Sequence, residues 1–89
     1  MISVHLTPHF RRKFKKLERT LQEEAFEKIE LFKNQDNHSR LRVHALKGHL
    51  RGRHSFSVNY RYRIVFMWED DTKQDCAILL AIGDHAVYD

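Results

Sequence analysis

Tyr60-Arg61-Tyr62-Arg63-Ile64-Val65-Phe66-Met67-Trp68 reads as a strand at the centre of a sheet. At the two-residue period Tyr62, Ile64, Phe66 and Trp68 share one face, and Arg61, Arg63, Val65 and Met67 share the other. Apolar residues on both faces mark a strand that is covered on both sides. The run closes a longer segment, residues 37–68, that contains no Asp or Glu. That segment carries seven cations (Arg40, Arg42, Lys47, Arg51, Arg53, Arg61, Arg63) and four histidines (His38, His44, His49, His54). A core strand that brings arginines with it puts fixed positive charge on a rigid support. A polyanion or an acidic partner is expected to meet the protein there.

Working outward, His54-Ser55-Phe56-Ser57-Val58 alternates and predicts a partner strand, with Asn59-Tyr60 as the tight turn between the two. Residues 69–74 form an acidic turn, and residues 75–82 a final strand that is apolar on both faces. Gly83 breaks that strand and residues 84–89 close the chain. On the other side, Leu41, Val43 and Leu46 give a weakly patterned connector, and Lys47-Gly48 marks a turn. At the start, Ile2, Val4 and Leu6 alternate with Ser3 and His5 as a short strand. Thr7-Pro8 then supplies a helix cap and a first helical residue. Phe10, Phe14 and Leu17 recur at helical spacing, with Arg11, Arg12, Lys13, Lys15 and Lys16 on the remaining faces. Thr20-Leu21-Gln22-Glu23 matches a capping box, so a second helix is expected to begin near Leu21. Its apolar stripe is Leu21, Ala25, Ile29 and Phe32, widened by Phe26, and its outside is acidic through Glu23, Glu24, Glu27 and Glu30. The order is β-α-α-β-β-β. It predicts an α+β fold, a helical hairpin on one face of a mostly antiparallel sheet, with a groove on the other face beside Arg63.

The chain of 89 residues is expected to form one domain, residues 1–89. Its formal charge is +4, its pI is near 9.5, and seven histidines add charge as pH falls. Cys76 is the one cysteine and sits in an apolar run, which predicts a core thiol in a reducing compartment. There is no apolar run long enough to span a membrane and no signal-peptide layout at the N-terminus, which together point to the cytoplasm.

For chemistry, the histidines lack metal-ligand spacing, and no metal or other cofactor is expected. There is no phosphate-binding glycine loop and no nucleophile elbow. Ser55 and Ser57 are expected to face solvent. Arg51, Arg53, Arg61 and Arg63 flank one hairpin and are expected to lie close together. Arginine suits phosphate because its planar fork donates two parallel hydrogen bonds. Phe56, Tyr60, Tyr62 and His54 interleave with these cations, and such rings can stack on unpaired bases. His85 and Tyr88 follow the last strand. Beside arginines a protonated His85 is disfavoured, which suits a base or a neutral donor.

Leu46-Lys47-Gly48, residues 55–66 and Ile82-Gly83-Asp84-His85-Ala86-Val87-Tyr88 resemble the RelE/ParE superfamily of type II toxins, closest to RelE/StbE-type and YafQ/YoeB-like members. The resemblance covers nearly the whole chain. It implies a compact microbial-ribonuclease-like toxin that cuts mRNA in the ribosomal A site. The 2′-hydroxyl attacks the adjacent phosphate without a metal. Arg63 matches the arginine that holds the scissile phosphate, His85 a general acid or phosphate ligand, and Tyr88 the aromatic that orients the base or the 2′-hydroxyl. Lys47, Arg51, Arg53 and Arg61, with His54, match in character the basic surface that faces RNA. The basic segment has no carboxylate base, since Asp36 and Glu69 flank it, and lacks the twin lysines of the RelE type. His54 is the side chain that can stand in, which leaves the base open. The implied partner is an acidic antitoxin encoded beside the toxin. A ParE-like inhibitor of DNA gyrase and a non-catalytic antitoxin-binding homologue are the alternatives.

Overall fold

The computed structural model describes residues 1–88, apart from the side chains of His85 and Ala86. The elements are β1 (Ser3–Leu6), α1 (Pro8–Lys15), α2 (Arg19–Phe32), β2 (His44–Ala45), β3 (His54–Ser57), β4 (Arg63–Trp68) and β5 (Cys76–Gly83), with 3-10 turns at Gln35–Asn37, Gly48–Leu50 and His85–Tyr88. The five strands form one sheet in the order β1-β5-β4-β3-β2. β1 pairs with β5 in parallel, and the other pairs are antiparallel. The α+β class and the central place of β4 agree with the sequence pattern. The connector before Lys47 adds one element to the expected order, the two-residue edge strand β2. Among the described residues no helix is long and apolar enough to cross a membrane.

Both helices pack on the sheet face that carries Ile64, Phe66 and Trp68. α1 begins at Thr7, whose Oγ1 accepts from the Phe10 N–H at 3.1 Å and donates to the Leu79 carbonyl at 2.9 Å. One hydroxyl therefore caps the helix and ties it to β5. The basic residues of the last turn suit the negative end of the helix dipole. α2 starts earlier than the expected capping box. Glu18 is its N-cap and makes no side-chain cap bond, and the Thr20 hydroxyl donates to the Glu18 carboxylate instead. Gln22 turns its side-chain amide back to the Phe14 carbonyl at 2.9 Å, which satisfies the end of α1.

Ala25, Ile29 and Phe32 form the buried stripe of α2, whereas Phe26, expected to widen it, is 61% exposed. Phe32 is the centre of the core. Its ring stacks on Phe56 (centroids 4.5 Å apart) and on His38 (4.7 Å), and meets Phe66 edge-on at 4.9 Å. Cys76, expected in the core, is only half-buried at the start of β5, with its Sγ 3.8 Å from Glu69 Oε2. Burial and the neighbouring carboxylates of Glu69 and Asp75 push its thiol pKa up.

The β4–β5 ladder shifts register between Val65 and Phe66, so that Val65 pairs with Ala81 and Phe66 with Leu79. Leu80 is the extra residue of a bulge, which bends the strand and increases its twist. Beyond β5 the chain folds back over the sheet. A Cβ on Gly83 would meet the Val87 Cβ at 3.4 Å, so the glycine lets the last turn pack close to the strand end.

Candidate nucleic-acid interface

The second face of the sheet, away from the helices, follows from strand register. On β3 the side chains of His54 and Phe56 join the helix side, since His54 stacks on Phe66 (centroids 5.4 Å) and Phe56 on Phe32. Ser55 and Ser57 therefore lie on the outer face. Ser55 pairs with Val65 on one side and with His44 on the other, and Ser57 pairs with Arg63. His44, Ser55, Ser57 and Arg63 thus share this face.

The 3-10 turn His85–Tyr88 lies over it. The Tyr88 hydroxyl is 3.0 Å from Ser55 Oγ. Ser55 is wholly buried, contrary to the expectation of a solvent-facing serine, because Tyr88 covers it. The side chain of His85 lies outside the described residues.

Arg63 is half-buried at the first position of β4. Its Nη1 donates to the carbonyls of Asn59 and, at 3.1 Å, Tyr62. These bonds hold the guanidinium against the β3–β4 turn. Asn59 organises that turn. Its Oδ1 accepts from the N–H groups of Arg61 (2.9 Å) and Tyr62 (2.7 Å), and its Nδ2 donates to Glu24 Oε1 on α2 at 2.8 Å. The side-chain acceptor replaces a backbone one, which stabilises the tight reversal.

His44 carries a feature that its sequence context does not reveal. Its Nδ1 lies 2.7 Å from the Arg42 carbonyl. A carbonyl only accepts, so Nδ1 is the donor, and in the neutral ring Nε2 is left as an acceptor. The imidazole is exposed at the edge strand, on the face of Ser55 and Tyr88. Two strand spacings and two residues along the ladder put the His44 and Arg63 Cα atoms roughly 12 Å apart.

The other expected residues divide. His54 is not part of this face. It stacks between Phe66 and Trp68 on the helix side, and its buried Nδ1 has no hydrogen-bond partner among the described residues. Burial lowers its pKa, Asp71 raises it and His44 lowers it further. The strand alternation that makes Phe56 a core residue carries His54 inward with it. The four arginines of the hairpin do not converge either. Arg51 and Arg53, with Lys47, lie in the β2–β3 loop, where Leu46 N–H donates to the Arg53 carbonyl at 2.8 Å. Arg61 and Arg63 lie at the opposite end of β3, about four residues or ~13 Å along the strand. Arg61 stacks on Tyr62, with its guanidinium carbon 5.6 Å from the ring centroid. Cations thus flank the Ser55–Tyr88 patch from both ends.

Two further arginines stand beside Arg63. A cleft of about 510 Å³ opens between α2 and the β3–β4 turn, and Arg40, Arg42 and Arg63 all line it. The connector that holds Arg40 and Arg42 reaches this place because the Leu41 carbonyl accepts from the Ser57 N–H at 2.8 Å. That long-range bond is invisible in a sequence pattern. Among the described residues no group of three or more His, Cys, Asp or Glu is arranged to hold a metal ion.

No protein-family model matches the chain, and no curated protein matches it. Solved structures do. The RelBE2 toxin–antitoxin complex of Mycobacterium tuberculosis matches at a TM-score of 0.68 and 20% identity, over 94% of this chain and 98% of that one. The YoeB–YefM complex of Staphylococcus aureus gives 0.71 at 15% identity, over 96% and 98%. The archaeal RelE–RelB complex of Pyrococcus horikoshii gives 0.71 at 13% identity, over 93% of each chain. With each of these matched almost from end to end, the chain has the fold of the RelE and YoeB toxins.

Proposed function

We propose that the protein is the toxin of a type II toxin–antitoxin pair, and that it is an endoribonuclease that cuts mRNA in the ribosomal A site. The observation that carries this reading is the grouping of Arg63, His44 and the Tyr88–Ser55 pair on one open face of the sheet. In the proposed reaction a 2′-oxygen bonds to the adjacent phosphorus and the P–O5′ bond breaks. The products are a 2′,3′-cyclic phosphate and a 5′-hydroxyl. The 2′-hydroxyl proton goes to a base, and an acid supplies the proton that the 5′-oxygen takes up. Arg63 neutralises the equatorial phosphate oxygens. His44 Nε2 is the base that the geometry offers, in place of His54. Tyr88 orients the attacking group, and His85 is the acid or phosphate ligand that the resemblance implies. These groups need no metal. A site of fixed cations with so few acid–base groups works by positioning, so it is expected to be slow on free RNA and to depend on the ribosome to align the substrate.

The same reading gives the protein a cytoplasmic site of action and an acidic, partly disordered antitoxin as partner. The net charge of +4 favours such a partner, and the exposed Phe26 borders an apolar groove of about 230 Å³ with Leu6, Phe10 and Phe14 that can receive its apolar side chains.

Primer extension on mRNA after brief induction tests the activity. Cleavage is expected for the wild type and is expected to be lost, with growth restored, in Arg63→Ala, His44→Ala and His85→Ala. Persistence of cleavage in Arg63→Ala and His44→Ala together defeats the reading. A second reading, a non-catalytic antitoxin-binding homologue, draws on the inward turn of His54, which removes one expected catalytic group from the site. It predicts a well-folded, antitoxin-free protein that neither cleaves mRNA nor arrests growth.

A further inference from the structure

We propose that the cleft between α2 and the β3–β4 turn is a subsite for single-stranded RNA adjoining Arg63, in which Tyr60 stacks a base and Arg40 and Arg42 hold neighbouring phosphates. The choice of RNA as the ligand rests on the function proposed for the Arg63 face; the cleft itself rests on its own geometry.

Tyr60 is 91% exposed, at the tip of the turn that Asn59 fixes. An exposed aromatic ring alone is unremarkable on a protein surface. Here it lines the same cleft as Arg40, Arg42, Arg63 and Lys28. A ring set among cations is the pattern that binds unpaired nucleotides, because every base offers a π-face and every linkage a negative charge. Two carboxylates also line the cleft, Glu24 and Glu27. Both belong to α2. Glu24 accepts from Asn59 Nδ2 at 2.8 Å, and Glu27 lies 3.8 Å from the Lys28 ammonium. The arginines come from the sheet side, so a phosphate chain is drawn along that wall and away from the helix.

Arg42 adds a second, independent observation. Its φ is 58°, a left-handed conformation that residues with a Cβ adopt at a cost. Its N–H donates to Ser39 O at 3.1 Å and its carbonyl accepts from His44 at 2.7 Å, and these bonds hold the conformation. Glycine would fit the backbone better. A strained arginine that lines a cationic cleft fits a role for its side chain.

The test is fluorescence anisotropy at low salt with a labelled single-stranded oligoribonucleotide carrying 2′-O-methyl groups, which cannot undergo attack. Tyr60→Ala is expected to weaken binding about tenfold, and Tyr60→Phe to restore it. Arg42→Gly is expected to melt at or above the wild-type temperature yet bind several-fold more weakly, with the salt dependence reduced by about one unit. A purely structural arginine would not give that opposition. If Arg63→Gln weakens binding while Tyr60→Ala and Arg42→Gly bind like wild type, the subsite is wrong and the reading of the Arg63 face survives. If the wild type and every variant fail alike to bind, the subsite is wrong, and the reading of the Arg63 face stands or falls by primer extension.

Discussion

The Tyr88 hydroxyl and the Ser55 Oγ lie 3.0 Å apart across 33 residues of sequence. The serine is wholly buried, so the tyrosine is what satisfies it on the outer face of the sheet. Removing one partner of such a pair has two separable effects. Tyr88→Phe is expected to lower stability by about 1 kcal/mol and to lower mRNA cleavage by about 100-fold. Ser55→Ala keeps the phenol and is expected to cost less activity than Tyr88→Phe. Chemical denaturation and single-turnover cleavage on programmed ribosomes separate the two. An unchanged cleavage rate in Tyr88→Phe would reduce the pair to a packing contact.

Arg63 presents its guanidinium from the first residue of a central strand, tied to the carbonyls of Asn59 and Tyr62. Arg63→Lys keeps the charge but loses the planar fork and one of the two tethers. The expected result is a fall in cleavage of about 100-fold with a melting temperature close to wild type. Near wild-type cleavage in Arg63→Lys would mean that charge alone suffices.

Asn59 links three things at once: the turn backbone, Glu24 of α2 and the Arg63 side chain. Asn59→Ala is expected to destabilise the fold by roughly 2–3 kcal/mol, about 1 kcal/mol for each hydrogen bond lost. Glu24→Ala is expected to cost about 1 kcal/mol. A double-mutant cycle should return a coupling close to the cost of Glu24→Ala, because the second change removes a bond that the first has already broken. Additive costs would show that the Glu24–Asn59 bond contributes nothing in solution.

His54 makes stability depend on pH. Burial lowers the pKa of its imidazole, with Asp71 opposing and His44 adding to the shift. The unfolded chain then binds the proton more readily than the folded one. Stability from this residue is complete above the unfolded value of about 6.5 and falls as pH drops through the lowered folded value. His54→Leu is expected to flatten the fall of the denaturation midpoint as pH drops below about 6.5. It is also expected to gain about 1 kcal/mol at neutral pH, since the unpartnered Nδ1 is removed. An unchanged pH profile in His54→Leu would assign the acid sensitivity to another group.

Elements set by local chemistry were legible in the sequence. Thr7-Pro8 announced α1, and the alternation within residues 60–68 announced β4, although Tyr60, Arg61 and Tyr62 belong to the turn before it, because caps and strand periods act over a few residues. The same alternation also held the answer for His54. It shares a parity with Phe56, so an inward histidine follows from the strand itself. His44 stayed hidden for a physical reason. A two-residue strand has no period to read, and the tautomer of its ring depends on the left-handed turn at Arg42. The capping box at Thr20 failed because helix starts compete, and Glu18 with the Gln22–Phe14 bond won by two residues. Arg40 and Arg42 reach Arg63 through a single bond from the Ser57 N–H, a contact of the kind that sequence periodicity does not encode.

Among the described residues β1, the earliest strand in the sequence, has only one neighbour in the sheet, and that neighbour is β5, the latest. Until β5 exists, β1 has nothing to pair with, and until the His85–Tyr88 turn folds back, Ser55 has no cover. Such long-range closure slows folding, since the loop entropy is lost before the contacts form. It also sets an order of events on the ribosome that makes this chain. β5 and the His85–Tyr88 turn leave the ribosome after the elements that they close, so β1 stays unpaired and Ser55 uncovered until both have folded back.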